Sequence, residues 1–236
     1  IKGYTSSESV VPEIEVKNGQ QDETVNITYT ANEQSGKISY QDVAGKEIGS
    51  TTITGKTGEN ITVTPEVPTG WKIVPGQEIS KTVTATAEGI PTVIVKVEHK
   101  KIIVTPDTPM EDIPNGKVPG DPNKTYEKMD NLVKTPTRTI VVTKPDSSKQ
   151  TITQSVEFIR TATFDEVTGE ITYSDWTLNS KSSKWDAYTS ETIPGYTANP
   201  AQVAEEDVSQ ETDNTTVNIT YTANEQSGKI SYQDVD

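Results

Sequence analysis

The 236-residue sequence predicts a mostly β protein, α+β with very little helix, and three observations carry that prediction. Threonine is the commonest residue, 37 in all against two Phe and two Met. A β-branched hydroxyl side chain suits a pleated, half-wet strand surface and is a mediocre helix former. Apolar and polar residues alternate with period two in several windows, the pattern of strands with one solvated face. Apolar residues make up only 31% of the chain and aromatics 6%, which fits two slim domains with thin cores better than one large globule.

Taken in order, Val25, Ile27 and Tyr29 alternate with Asn26 and Thr28, and Ile38 and Tyr40 with Ser39 and Gln41. A turn follows in the AGKE segment at Ala44. Ile61 and Val63 form a short run closed by Pro65, Val83 sits in KTVTATA, and Val93, Val95 and Val97 mark a clear strand. Ile102 to Val104 continues that strand or starts an edge segment. From Thr105 the texture changes, with Pro106, Pro109, Pro114, Pro119 and Pro122 close together. Each proline fixes φ and lacks a ladder donor, so this stretch reads as a semi-rigid extended connector. YEKMDNLVK from Tyr126 is expected to make one or two helical turns. TRTIVVT at Thr137 pairs with TITQSVEFIRTATF across the polar KPDSSKQ turn, with Ile152, Val156 and Phe158 facing the core. DEVTGE at Asp165 is a second turn, in which Gly169 supplies positive φ. ITYSDW at Ile171 runs back, and Val217, Ile219 and Tyr221 form the closing strand. One short helix per domain is expected.

The strongest signal is internal repetition. TVNITYTANEQSGKISYQDV occurs at Thr24 to Val43 and again at Thr216 to Val235, a period of 217 − 25 = 192 residues. Upstream the match fades but keeps register: IKGYT at Ile1 aligns with IPGYT at Ile193, and Val11 and Val16 align with Val203 and Val208. The period is too long for a solenoid, whose units run to roughly 20–50 residues, and fits separately folded beads. The chain reads as a fragment of something longer, beginning and ending in mid-pattern.

Net charge is −14, from 35 acidic and 21 basic residues. A polyanion repels phosphate backbones and anionic lipid, so nucleic acid and bilayer are poor partners. The acidity reads as surface solubility and leaves room for a scattered Ca2+ site, although no Asp-rich ligand loop is present. No cysteine occurs, which removes disulfides, thiolate metal sites and thiol nucleophiles. No run approaches the ~20 apolar residues of a membrane span, and no signal peptide opens the chain.

No residue is nominated as catalytic, cofactor-binding or metal-ligating. The single histidine, His99, lies in a Glu-His-Lys-Lys context and reads as a solvated edge residue without an oriented partner or nucleophile. Asp165 and Glu170 are the nearest candidate for paired carboxylates, but they occupy a turn. GKTGEN at Gly55 lacks the spacing of a phosphate loop and is a turn. Trp71 and Tyr196, each following a glycine, read as core plugs. Trp176 is open between core and surface. Trp185 and Tyr188 fall in a polar loop-like stretch where an exposed aromatic can stack on a sugar, although burial is the favoured reading. Ligand-binding residues are left unassigned.

Several residue sets together carry a family resemblance. Residues 37–104 hold a Tyr-x-Asp strand end, the GKEI turn, the TGKTGE hinge and the P-x-GW step, which resemble a mucin-binding-type module. Downstream, TRTIVVT, QSVEFIRTATF, DEVTGE, the Trp and IPGYTANPAQV resemble the second domain type of mucus-binding repeats. Together they are similar to the mucus-binding repeats of lactobacillus-type cell-surface adhesins. Gly70-Trp71 stands where such modules usually have Gly-Tyr. The resemblance implies two elongated β-grasp (ubiquitin-like) domains in tandem. Residues 1–36 would be the tail of a preceding repeat, 37–104 the first domain, 105–125 the Pro-rich connector, 126–228 the second domain and 229–236 the first strand of the next repeat. It also implies a non-enzymatic unit without cofactor, on an extracellular, wall-anchored protein. Its partners would be host mucin glycoproteins or their glycans and, in some relatives, immunoglobulins, bound weakly by a monomeric bead and strengthened by copy number. A stalk without a ligand of its own is the structural alternative.

Overall fold

The computed structural model describes residues 1–234, and its regular structure is 24 β-strands and a single 3-10 turn, Met110–Asp112. The last two residues of the segment 229–236 lie outside the described residues. The chain divides into two compact units. The first comprises Ile1–Ile102, Asn115–Tyr126 and Asp165–Glu170; the second comprises Ile103–Pro114, Glu127–Phe164 and the chain from Ile171 onward.

The first unit opens with a small hairpin of Tyr4–Ser6 (β1) and Tyr29–Ala31 (β2). Glu33–Gln41 (β3) and Glu47–Lys56 (β4) then form a long antiparallel hairpin over nine residue pairs. Its turn is held by Asp42, whose carbonyl accepts from Gly45 N and whose carboxylate accepts from Lys46 N. Asn60–Val63 (β5), Trp71–Ile73 (β6), Lys81–Thr84 (β7) and Val93–His99 (β8) follow. The main sheet has the order β4-β3-β8-β6, with β3 and β8 parallel, and β5 pairs with β7 beside it. Ile38, Tyr40, Val63, Val93, Val95 and Val97 are buried together, with Ile61, Trp71 and Val83 packed against them. Each such aliphatic side chain contributes about 1.5–3 kcal/mol by leaving water.

Lys101–Val104 (β9) leads out of this unit, and Lys117–Val118 (β10) pairs with Asp121–Thr125 (β11) in a short hairpin that belongs to it. The Pro-rich stretch 105–125 is therefore not one extended run. Its early part turns through Met110–Asp112 and its later part folds back at Pro119–Gly120, with Pro122 tolerated because the ladder has only two strands.

The second unit contains Val133–Lys134 (β12), Thr137–Thr143 (β13), Lys149–Ser155 (β14), Phe158–Ile159 (β15), Ala162–Asp165 (β16, whose last residue, Asp165, counts with the first unit), Ile171–Tyr173 (β17) and Thr177–Leu178 (β18). Lys184–Trp185 (β19), Tyr188–Thr189 (β20), Tyr196–Asn199 (β21), Gln202–Val203 (β22), Glu206–Asp207 (β23) and Thr215–Ala223 (β24) complete it. Its main sheet has the order β14-β13-β24-β21, with β13 and β24 parallel and the other pairs antiparallel. The β13–β14 hairpin forms across the KPDSSKQ turn as the sequence predicts, in seven pairs from Thr137↔Ser155 to Thr143↔Lys149. Ile140, Val142, Val203 and Ile219 are one buried cluster, and Val156, Phe158, Trp185 and Val208 are another.

Two helix expectations fail. YEKMDNLVK forms no helix; Tyr126 and Leu132 are buried instead, and Val133–Lys134 is a strand. Nine residues make a marginal helix in isolation, and here burial of the flanking apolar residues decides the backbone. Nor does each domain carry a short helix, the 3-10 turn being the one helical element among the described residues. No helix among them is long and apolar enough to cross a membrane.

Candidate functional site: a Trp71–His99 groove

The first unit carries a groove of about 460 Å3 lined by Asp42, Trp71, Lys72, Glu98, His99 and Lys101, among others. The edge of the main sheet positions it. In β6 and β8, Trp71 lies opposite His99 and Lys72 opposite Glu98. Cross-strand neighbours meet on one face: the Trp71 and His99 rings stand edge to face, centroids 4.6 Å apart and planes at 87°. Lys72 and Glu98 form a half-exposed ion pair at 3.1 Å.

The turn before β6 requires glycine. Gly70 has φ 83, and a Cβ there would come within 2.7 Å of the Glu166 carbonyl. The Gly70 carbonyl accepts from Lys100 N at 2.8 Å, and Trp71 N donates to the Pro68 carbonyl. Trp71 is consequently plug and wall together, packed on the core from one side and lining the groove with its remaining surface.

His99 is more constrained than a solvated edge residue. Its Nδ1–H donates to Asp165 Oδ2 at 2.8 Å, an ionised carboxylate being acceptor only. Burial pushes the Asp165 carboxyl up, but hydrogen bonds from Thr168 N, from His99 and from Val167 N outweigh it and hold its pKa below the usual aspartate value. Its Oδ1 accepts from Val167 N and Thr168 N, both at 2.9 Å, and Gly169 takes φ 70, so DEVTGE is the expected turn. Lys100 and the buried Glu166 pair at 2.9 Å alongside. Asp165 thus serves a turn and a histidine, and its carboxylate is not the partner of Glu170: the two residues are joined through Asp165 N and the Glu170 carbonyl.

GKTGEN runs out of β4 through the turn at Thr57–Gly58 into β5, as expected. In the second unit the aromatics separate. Trp185 is fully buried and Tyr188 half-buried, in line with the favoured reading. Tyr196, expected as a core plug, is 38% exposed and is corrected here: it lies on β21, an edge strand paired on one side only, to β24. Trp176 packs on the second buried cluster and shares the Arg160 guanidinium with Tyr173, at 4.6 and 4.0 Å.

Sequence reasoning missed the buried Arg138. Its guanidinium donates to Gln154 Oε1 from Nε and Nη2, to the Ala204 carbonyl at 2.9 Å and to the Asp186 carbonyl at 2.7 Å, and it lies 5.4 Å from the Trp185 ring centre. A signal was present: Arg138 shares the parity of Ile140 and Val142 in β13. It is a structural clamp. Among the described residues no group of three His, Cys, Asp or Glu is placed to hold a metal ion.

The groove presents an aromatic edge, an ion pair and donors and acceptors of both signs, with no activated nucleophile against them. That set suits recognition of a hydroxylated ligand through ring faces and hydrogen bonds.

Comparison with known proteins finds similarities over parts of the chain. Residues 127–225 match the family model of the Muc B2-like domain. The solved structure of Mub-RV is similar at 21% identity over 81% of this chain and 100% of its own, with a TM-score of 0.48. The type 2 repeat of the mucus binding protein MUB from Lactobacillus reuteri is similar at 20% identity over 81% of this chain and 100% of its own, TM-score 0.36. The MucBP domain of an adhesion protein from Pediococcus pentosaceus is 30% identical over 39% of this chain and 99% of its own, TM-score 0.32. No curated protein matches the chain. Residues 127–225 are thus similar to the Muc B2-like domain family, and solved mucus- and mucin-binding domains are among the structures the chain resembles.

Proposed function

We propose that this chain is a repeat unit of a bacterial surface adhesin that binds mucin glycoproteins, with no enzymatic step and no cofactor. The observation that carries the reading is the Muc B2-like match over residues 127–225. The Trp71–His99 groove supplies a contact surface of suitable chemistry for glycan hydroxyls, and the 192-residue repetition supplies the means of multiplying a weak contact. Reading the units as tandem β-grasp domains, the first from 37 to 104 and the second from 126 to 228, is supported by their common plan. In each, an opening hairpin is followed by a later strand that lies parallel to its first strand.

The test is retention on a mucin-coated surface, with periodate-treated mucin and immobilised immunoglobulin as parallel arms. The reading expects retention that periodate abolishes, that a chelator leaves unchanged, and that rises steeply from one to four repeats. Trp71→Phe with His99→Ala should lower single-repeat retention at least about fivefold if the groove makes the contact. Retention on immunoglobulin alone would replace mucin with a protein partner. No retention on any surface would leave a spacer, a reading favoured by the repeated hairpin described next.

A further inference from the structure

One hairpin occurs twice in this chain, in opposite surroundings. Gly3, Tyr4 and Asn32 stand 192 positions before Gly195, Tyr196 and Asn224. Both copies pair in the same register, Tyr4↔Ala31 to Ser6↔Tyr29 against Tyr196↔Ala223 to Ala198↔Tyr221. Their turns coincide in detail. Gly3 has φ 81 and Gly195 φ 82, and Asn32 N donates to the Gly3 carbonyl at 2.9 Å where Asn224 N donates to that of Gly195 at 2.8 Å. Thr5 Oγ1 donates to Asn32 Oδ1 at 2.7 Å, and Thr197 Oγ1 to Asn224 Oδ1 at 2.6 Å.

What lies against them differs. The first hairpin is seated on the ends of the β4–β5 and β7–β8 connections. A Cβ on Gly3 would lie 2.9 Å from both Ala87 Cβ and Thr57 Cγ2. The Asn32 carbonyl accepts from Thr57 N at 3.0 Å and from Thr57 Oγ1 at 3.2 Å, and the Tyr4 hydroxyl reaches the Thr57 carbonyl at 3.4 Å. Around the same position on Gly195 nothing among the described residues lies within 4 Å.

We propose that the hairpin of Tyr196–Asn199 with Tyr221–Asn224 is a docking face whose partner is the Thr57 and Ala87 surface of a second copy of the first unit, following in line. The sequence between hairpin and partner fixes the occupant. The residues leading from Asn32 into β3 recur unchanged from Asn224, so a following copy would begin its own β3 at the same distance from the same turn. Glycine at position 195 has room for that approach, as Gly3 has used it. One contact does not carry over: Pro194 stands where Lys2 pairs with Glu88, and that exposed pair contributes little. The consequence is a string of repeats whose successive copies are clamped at a set angle, in place of freely swinging beads.

The chain has no cysteine, so engineered pairs report one contact each. The reference is Gly3→Cys with Ala87→Cys in the 236-residue chain, where the Cβ atoms would stand 2.9 Å apart and an outward shift of about 1 Å reaches the ~3.5–4.5 Å of a disulfide. The test is a double-length chain in which residues 44–236 follow Val235, carrying Gly195→Cys and Ala87→Cys in the second copy. Its control replaces the second cysteine with Lys81→Cys, three residue pairs along the β5–β7 hairpin from Asn60↔Thr84. The expected result is disulfide closure within about threefold of the reference and at least about tenfold above the control in a glutathione buffer. Closure no better than the control while the reference closes overturns the proposal, as does linkage between two chains in place of closure within one. Should the left-handed backbone at either glycine resist cysteine, backbone relaxation of the unsubstituted double-length chain decides. The second hairpin and the following unit should tumble as one body, and Gly195→Val should release them; independent tumbling before substitution rejects the joint.

Discussion

Residues 24–43 and 216–235 are the same twenty amino acids, yet over the described residues outside the shared hairpin each copy is structured where the other is not. Ile219 is fully buried in the centre of a sheet, while its counterpart Ile27 is 40% exposed outside any strand. Tyr40 is 1% exposed in the first core, and its counterpart Tyr232 is 92% exposed. The pattern extends upstream, where Val208 is buried and Val16 lies open. Local sequence is identical, so local propensity cannot be the cause. What differs is the neighbour: Val217 and Ile219 have β13 alongside them, Ile38 and Tyr40 have β8, and the mismatched halves have neither. Only the hairpin at the junction, closed by its own glycine turn and Asn side chain, forms in both copies. The difference separates structure encoded within a few residues from structure that waits for a partner strand.

The largest test of that separation is a pair of identical substitutions. Ile219→Ala should cost about 2–5 kcal/mol, whereas Ile27→Ala should stay within about 0.5 kcal/mol. Urea unfolding followed through the buried Trp185 reads the first; equal costs would break the comparison. Next comes the frame that receives the second copy. Arg138→Met removes the guanidinium that donates to Gln154 Oε1 and to the carbonyls of Ala204 and Asp186, and should destabilise the second unit by about 2–3 kcal/mol, leaving the β1–β2 hairpin untouched. Amide chemical shifts of Tyr4 and Tyr29 check the second half of that statement.

A smaller effect sharpens the opposite half of the repeat. The Tyr40 hydroxyl accepts from Glu66 N at 2.9 Å, so Tyr40→Phe should cost about 1 kcal/mol, and Tyr232→Phe should cost nothing measurable. The smallest is an acid effect confined to the first unit. The Asp165 pKa is lowered in the folded state, so its stabilisation is fully present above the unfolded value near 3.8 and is lost as pH falls through the lower folded value. Asp165→Asn should flatten the acid limb of the first unit's unfolding profile, read through Trp71, and leave the second unit's limb as it was.

These contrasts also show what could be read from sequence. The strand β13 was legible because its alternation is complete: Arg138, Ile140 and Val142 are buried and their neighbours half-exposed. The same parity contained Arg138, but a charge on a core face is discounted unless its acceptors are known, and the acceptors at Asp186 and Ala204 lie 48 and 66 residues away. The His99–Asp165 bond likewise spans 66 residues and leaves no periodic trace. Tyr196 misled because its Gly-Tyr step resembles Gly70-Trp71, while Trp71 packs on a buried cluster and Tyr196 stays 38% exposed on an edge strand. YEKMDNLVK misled because its helical composition carries no trace of the burial that Tyr126 and Leu132 find in the fold. Local turns, at Gly45 and Gly169, were legible throughout.

Amide hydrogen exchange over the two copies in one sample tests the central claim most directly. The account predicts mirror-image protection: Asn218 to Tyr221 slow where Asn26 to Tyr29 is fast, Ile38 to Tyr40 slow where Ile230 to Tyr232 is fast, and the hairpin amides of Asn32 and Asn224 both slowed. Equal protection of the two copies along their whole length would contradict it.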